Sequence, residues 1–162
     1  MVLLCKLNLE SYTTMKYILI SILLTATTIL HAQRTPDEKP VLEVVHKFFH
    51  ALEKQDTAEF RGTFLAGARN FAVIDTKDSI VVRGQLAKDF RFRPGQIVKE
   101  RMREAITEVK IHNNIAMVWA PYDLWVNETF SHCGVDVFTL IKDEQGWKIA
   151  SVSYTVEREG CR

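Results

Sequence analysis

The spacing of apolar residues changes once along this chain, from a helical to a strand-like period, and this change strongly constrains the fold. Near the start, apolar side chains recur three or four positions apart, which predicts one amphipathic helix. This stripe consists of Val41, Val44, Val45, Phe48, Phe49 and Leu52. From Phe71 onward, apolar residues alternate or run continuously between short turns, which predicts β-strands. Helices gathered ahead of strands indicate an α+β domain, with the helices on one face of a curved antiparallel sheet.

A second short helix and a first hairpin are predicted between the stripe and the long strands. Asp56 is a capping residue with Glu59 three positions on, and Gly67 is expected to end this helix. Residues 71–75 and 80–83 then flank a polar turn, which predicts a hairpin.

Four long strand-like runs fill the second half of the chain. Residues 100–112 meet residues 115–126 across an Asn-Asn turn, and residues 133–142 meet residues 147–157 across an acidic turn. Pro121 lies inside the second run and cannot donate to a sheet ladder, so we expect a bulge or bend there.

The first 32 residues are predicted to be a leader. Residues 17–30 are an uncharged apolar run that follows a basic residue and precedes the small Ala32, as in a secretory signal peptide. The run is shorter than the ~20 apolar residues of a membrane-spanning helix. Met15 is a candidate for the true start. We expect residues 33–162 to form one exported domain, periplasmic or secreted, with no membrane span after cleavage.

The charge balance argues against a nucleic-acid-binding protein. The chain has 21 basic and 20 acidic residues, a formal net charge of +1, whereas phosphate recognition requires a basic patch or stripe. No nucleic-acid partner is therefore expected.

Two of the three cysteines lie in the expected domain. In an oxidising compartment Cys133 and Cys161 are predicted to pair, closing a loop of about 28 residues. The alternative is a reactive thiol at Cys133, oriented by His132.

The opening helix and the last hairpin resemble a known family. Residues 41–60, the strand Gly-Val-Asp-Val-Phe-Thr-Leu (134–140), and Trp147-Lys148-Ile149 after the acidic turn are similar to the nuclear transport factor 2-like superfamily, in its SnoaL-like and lumazine-binding-like branches. The resemblance covers residues 40–161. It implies a cone-shaped α+β barrel, in which a curved sheet wraps the first helix and leaves a pocket at the open end. Family members bind small, mostly apolar ring compounds, and some are isomerases, cyclases or dehydratases.

Asp136 is the first candidate for chemistry in that pocket. It interrupts an apolar strand, on the same face as Phe138 and Leu140, where a carboxyl needs a partner or takes up a proton. It is therefore a candidate general acid or base. One hairpin register places it near Ser151 and Ser153, and a slip of one residue places it near Tyr154.

His132 is a second candidate base, because a histidine titrates near neutral pH. Tyr122, Asp123 and Trp125 follow Pro121 on the neighbouring strand, and such an aromatic platform suits a flat ring ligand. The predicted ligand pocket consists of Phe49, Tyr122, Asp123, Trp125, Phe138 and Tyr154, together with Asp136.

No metal site or cofactor is expected. His46 and His50 lie four residues apart, but no third ligand is evident.

The long strands are apolar on both faces, so one face needs a second cover, and a homodimer is the simplest one. Three hypotheses remain: a domain that binds a small molecule, an isomerase, dehydratase or cyclase that uses Asp136, and a dimerisation or accessory module with a filled pocket. The sequence leaves open whether the protein is an enzyme.

Overall fold

In the computed structural model, residues 37–76 and 78–161 are described, and the predicted leader lies outside them. Within these residues the chain forms two α-helices and one seven-stranded sheet. The helices are α1 (Glu38–Lys54) and α2 (Thr57–Gly62). The strands are β1 (Phe64–Asp75), β2 (Ile80–Leu86), β3 (Val98–Met102), β4 (Glu108–His112), β5 (Ile115–Val126), β6 (Thr129–Asp143) and β7 (Gly146–Val156). No helix in the described part of the chain is long and apolar enough to cross a membrane.

Helix α1 forms because its apolar residues share one face, and that face is buried against the sheet. The core joins the helix stripe to inward side chains of β5, β6 and β7, which include Val118, Phe138 and Ile149. Ala116 and Ala120 on β5 are also buried there, and their small side chains leave room for the helix. The α+β class, with helices packed on a large curved and unclosed sheet, is confirmed.

Helix α2 begins as predicted but ends earlier. The side chain of Asp56 accepts a hydrogen bond from the backbone N–H of Glu59 at 2.9 Å. The helix ends at Gly62 rather than near Gly67, because Phe64 pairs with Ile149 on β7 and already belongs to β1. The spacing of Phe60 and Phe64 fits a helix, but pairing with the sheet decides the conformation of Phe64.

The strand order is β2-β1-β7-β6-β5-β3, and β4 also pairs with β5. Most neighbours are antiparallel, but β1 runs parallel to β7, so the sheet is mixed rather than wholly antiparallel as predicted. The first hairpin has the predicted turn, with Asp75 opposite Ile80. In the last hairpin Asp136 lies opposite Tyr154, and this settles the register that the sequence left open.

The irregularity expected at Pro121 appears in the neighbouring strand. The predicted run 100–112 is divided into β3 and β4, and both pair with β5. The break falls opposite Ala120 and Pro121, where Arg103 N–H donates to the Pro121 carbonyl at 2.7 Å. Pro121 has no N–H to offer toward that edge, so the ladder cannot continue across it. The bulge between β5 and β6 lies further along, between Leu124 and Trp125.

Candidate functional site

A cavity of about 610 Å³ lies between the helices, the segment after β2 and the inner face of the sheet. One wall is aromatic and contains Phe48 and Phe60 from the helices and Phe90 and Phe92 from the loop. The rings of Phe60 and Phe90 stack with centroids 4.6 Å apart, and Phe90 and Phe92 meet edge to face at 5.2 Å. The rings therefore form a continuous apolar wall.

The opposite wall carries a row of four aligned residues, one on each of four strands, and three of them have polar side chains. Strand pairing aligns Arg83 on β2 with Ala72 on β1, Ala72 with Tyr154 on β7, and Tyr154 with Asp136 on β6. All four residues line the cavity. The small Ala72 leaves space between Arg83 and Tyr154.

Asp136 is the most deeply buried acid of this wall, with 2% of its surface exposed. One oxygen of its side chain is hydrogen-bonded to the carboxyl group of Glu100 on β3, so the two groups share a proton, while its other oxygen, Oδ2, has no partner among the described residues. Burial, followed by repulsion from Glu100, raises the pKa of Asp136 well above its ordinary value. Burial also raises the pKa of Glu100 from 4.5 to about 7, and the hydrogen bond from Asp136 opposes this shift. The pair therefore holds at least one proton at neutral pH.

Glu100 was not predicted to be a functional residue. It lies between Lys99 and Arg101 in a charged stretch that is typical of a solvated surface. The alternation of Val98, Glu100 and Met102 is the signal that could have placed it, because this spacing puts Glu100 on the same face as two apolar residues. Val98 and Glu100 both line the cavity.

Two tyrosines lie beside the carboxyl pair. The Tyr122 hydroxyl donates to the Thr155 carbonyl at 2.6 Å, and the side chain is almost fully buried. Burial, together with the nearby acids Glu100 and Asp136, raises the pKa of Tyr122 and of Tyr154. Both phenols therefore stay protonated at neutral pH.

Gly134 makes room for the ring of Tyr122. The two residues pair across β5 and β6, and a Cβ at position 134 would lie 2.9 Å from the Tyr122 ring and hydroxyl. It would also lie 2.3 Å from the Thr155 carbonyl oxygen. The ring can lie across β6 and reach Thr155 because residue 134 has no side chain.

Asn70 is a second buried polar residue of the cavity wall, with 8% of its surface exposed. Within the described residues, its Oδ1 and the Oδ2 of Asp136 are buried side-chain oxygens without a hydrogen-bond partner. Buried polar atoms are almost always paired, so each of these oxygens requires an explanation.

His132 lines the same cavity, four residues along β6 from Asp136. Its Nδ1 lies 2.9 Å from the Ser131 hydroxyl, and its ring meets that of Tyr122 edge to face. Burial, with a smaller contribution from Arg158, lowers the pKa of His132, so the ring is neutral at neutral pH.

Four residues predicted for the pocket lie elsewhere. Phe49 and Phe138 are in the core and meet edge to face at 5.8 Å. Asp123 and Trp125 alternate with the inward Tyr122 along β5 and lie on the outer face. Asp123 binds Arg103 through both carboxylate oxygens, and Trp125 packs against Phe130 at 5.7 Å. Helix and sheet fill the space around Phe49 and Phe138, and the alternation of β5 turns Asp123 and Trp125 outward.

The predicted disulfide is present between Cys133 and Cys161, whose Cα atoms are 5.7 Å apart. Two backbone hydrogen bonds between Cys133 and Glu157, at 3.0 and 2.9 Å, hold the C-terminal segment beside β6. The alternative of a reactive thiol at Cys133 does not apply to this oxidised form.

His46 and His50 have separate acidic partners. His46 Nε2 lies 3.3 Å from Glu104, and His50 Nδ1 lies 2.7 Å from Glu59. In the part of the chain that the structure describes, no three metal-binding side chains are grouped together.

A family model described as "Putative lumazine-binding" matches residues 36–155. No curated protein is similar enough to this chain to count as a match.

Solved structures share the fold at low sequence identity. A nuclear transport factor 2-like superfamily protein from Salmonella enterica is 11% identical with a TM-score of 0.60. The alignment covers 76% of this chain and 93% of the Salmonella protein. A cystatin-like-fold protein from Nostoc punctiforme is 12% identical with a TM-score of 0.58, over 79% and 96% of the chains. A protein from Streptomyces avermitilis, described as a putative dehydratase from the NTF2-like family, is 13% identical with a TM-score of 0.55, over 76% and 99%. At these identities the similarity shows the fold alone.

Proposed function

The chain belongs to the lumazine-binding-like family of the nuclear transport factor 2-like superfamily, and from this premise we propose that its cavity binds a small ring-containing molecule. The observation that carries the proposal is the open cavity of about 610 Å³ with an aromatic wall facing buried polar groups. Ligand sites typically have this size and combine an apolar lining with a few convergent polar groups. An accessory module without a ligand would need a cavity filled by its own side chains.

A thermal-shift screen of ring-containing metabolites tests the proposal. We expect at least one compound to raise the melting temperature, because a ligand that binds only the folded state stabilises it by mass action. Ala72→Phe should abolish the shift, since it fills the space between Arg83 and Tyr154. Val73→Phe is the matched control, because the neighbouring side chain alternates away from the cavity and does not line it.

Either of two results contradicts this proposal. The first is that no compound in the screen shifts the wild-type melting temperature. The second is that the compounds that shift it stabilise Ala72→Phe equally well. The second result would place the ligand outside the cavity.

The carboxyl pair favours a second candidate function, proton transfer on the bound ring compound. Asp136 keeps its proton at neutral pH and can act as a general acid, whereas Glu100, with a pKa of about 7, can act as a base. Isomerases and dehydratases need both roles, and one structural neighbour is described as a putative dehydratase.

For any ligand that the protein converts, Asp136→Asn should lower the turnover rate by about 10²-fold or more. Unchanged turnover would refute this role.

We also propose that the protein acts in an oxidising compartment, in the periplasm or outside the cell. The Cys133–Cys161 disulfide supports this, because disulfides persist in such compartments and are rare in a reducing cytosol.

We further propose a homodimer formed through the outer face of the sheet. Exposed apolar side chains on β5 and β6 support it, among them Ile115, Trp119 and Ile141. A sheet with two apolar faces needs a cover on each, and a second copy of the chain would cover this one.

A further inference from the structure

The buried part of the cavity presents acceptor oxygens without donors. Asp136 Oδ2 and Asn70 Oδ1 have no hydrogen-bond partner within the described residues, and both side chains line the cavity. They lie on β6 and β1, which β7 separates, so about 10 Å of sheet lies between the two strands. A molecule of ring size can therefore reach both oxygens at once if it carries N–H or O–H donors.

The charges of the cavity are distributed unequally between its buried and exposed parts. Asp136 is buried and Glu100 beside it is half-buried, so a charge on either carboxyl group is only weakly screened by water. Arg83, Arg91 and Arg93 also line the cavity, but all three are exposed, and water and salt screen their charges. The guanidinium of Arg91 already donates to the carbonyls of Lys88 and Phe90. The field at the buried end is therefore set by the carboxyl pair.

We infer that the ligand is a ring-containing cation, an amine or amidine, whose N–H groups donate to Asp136 and Asn70 while its ring lies against Phe90 and Phe92. Such a group carries donors only, and it brings the positive charge that a buried carboxyl pair lacks. The aromatic wall lies opposite these oxygens and contacts the ring of the ligand. This inference rests on the proposed binding function, and it names the chemical class of the ligand.

Binding of a cation should also displace a proton from the carboxyl pair. A positive charge beside Glu100 favours the carboxylate form of a group whose pKa is about 7 without ligand. The other titratable or charged groups of the cavity are Arg83, Asp89, Arg91, Arg93, Tyr122, His132 and Tyr154, and Glu157 lies near Tyr122. The two phenols and the histidine are neutral at pH 7, so we expect the proton released at that pH to come from the pair.

Calorimetric titration with matched ring compounds tests the inference. Tryptamine is compared with the neutral tryptophol, benzamidine with benzamide, and indole-3-propionate serves as the anionic member. We expect each cation to bind at least about tenfold tighter than its neutral partner. Titrations at pH 7 in phosphate and in Tris, which differ in ionisation enthalpy, should show proton release for the cations alone.

Variants then locate the effect. Asp136→Asn, and independently Glu100→Gln on an edge strand, should reduce the preference for the cation to about twofold or less while the neutral compound binds as before. Glu144→Gln, which removes an exposed carboxylate of the last turn, is the matched control and should keep the full preference. Loss of the preference in this control as well would contradict a local effect of the pair.

The outcomes distinguish this inference from the proposed function. If neutral or anionic compounds bind as tightly as the cations and Ala72→Phe abolishes their binding, the ligand is not a cation but the binding function stands. If no ring compound of any charge binds at millimolar concentration, both fail.

Discussion

At the scale of single residues, the burial of Asp136 is opposed by the loss of its hydration. A carboxyl with 2% of its surface exposed would be unfavourable as an anion, so it keeps its proton and shares it with Glu100. The native protein therefore binds more protons than the unfolded chain in the range between the ordinary and the raised pKa values. For Glu100 this range begins near pH 4.5 and extends to about pH 7.

The stability of the protein should depend on pH through this pair. Because the folded-state pKa of Glu100 is raised, its contribution to stability is complete below the ordinary pKa and is lost as the pH rises through about 7. We expect the wild type to lose roughly 1–3 kcal/mol more than Glu100→Gln in the free energy of unfolding between pH 5 and pH 8. Urea denaturation at pH 5, 6, 7 and 8 measures this, and parallel pH profiles for the two proteins would contradict it.

The sequence identified Asp136 and not Glu100 for a physical reason. A carboxylate inside an apolar strand conflicts with its surroundings, and that conflict is visible without a structure. Glu100 lies among other charges, and only the fold shows that its side chain meets Asp136. Alternation along β5 puts Tyr122 on one face and Asp123 and Trp125 on the other, so a pocket containing all three was wrong, and the fold shows that the face of Tyr122 is the inward one.

At the scale of elements, β5 and β6 are joined by more than their backbone ladder. Tyr122 crosses Gly134 to reach the Thr155 carbonyl near the end of β7, so one side chain connects three strands beside the cavity. The contact depends on the absence of a side chain at position 134.

Gly134→Ala should therefore destabilise the protein. The new methyl group would meet the Thr155 carbonyl oxygen and the ring of Tyr122, and overpacking of this kind costs about 1–3 kcal/mol. Gly62→Ala is the control, because a Cβ there has no neighbour within 4 Å and the residue ends a helix, so stability should be equal or slightly higher. Urea denaturation compares the two variants, and equal midpoints would show that the space at Gly134 is not needed.

Helices and hairpins were predictable because they depend on neighbours in sequence. The stripe of α1, the cap of α2 and the three hairpin turns follow from local spacing and from residues that favour caps and turns. The parallel pairing of β1 with β7 joins residues about eighty positions apart, and an apolar pattern carries no information on the direction of a distant partner. The division between β3 and β4 likewise depends on the place where Pro121 faces them.

At the scale of the whole molecule, the outer face of the sheet is unusually apolar for a surface. Ile115 and Trp119 on β5 are 59% and 43% exposed, and Ile141 and Phe130 on β6 are also exposed. Apolar patches of this kind mark interaction sites more often than they remain in water.

If this face forms the proposed dimer, Trp119→Glu should convert the protein to monomers. A charge buried at the centre of an apolar interface is strongly unfavourable, so we expect the dimer dissociation constant to rise by about 10²-fold or more. Sedimentation velocity over a range of concentrations measures this. Ile97→Glu, at an exposed apolar position in the segment before β3 and outside the sheet, is the control and should keep the wild-type association state. A wild type that sediments as a monomer at every concentration would contradict the dimer.

The pairing of β1 with β7 also has a consequence for the order of events on the ribosome. When β1 emerges, it can form only its hairpin with β2, because the strand that holds its other edge is made last. The cavity wall stays incomplete until then, since Ala72 needs Tyr154 beside it. The sheet therefore cannot be completed before β7 has been made, and a nascent chain stopped before residue 146 lacks one strand of the cavity wall.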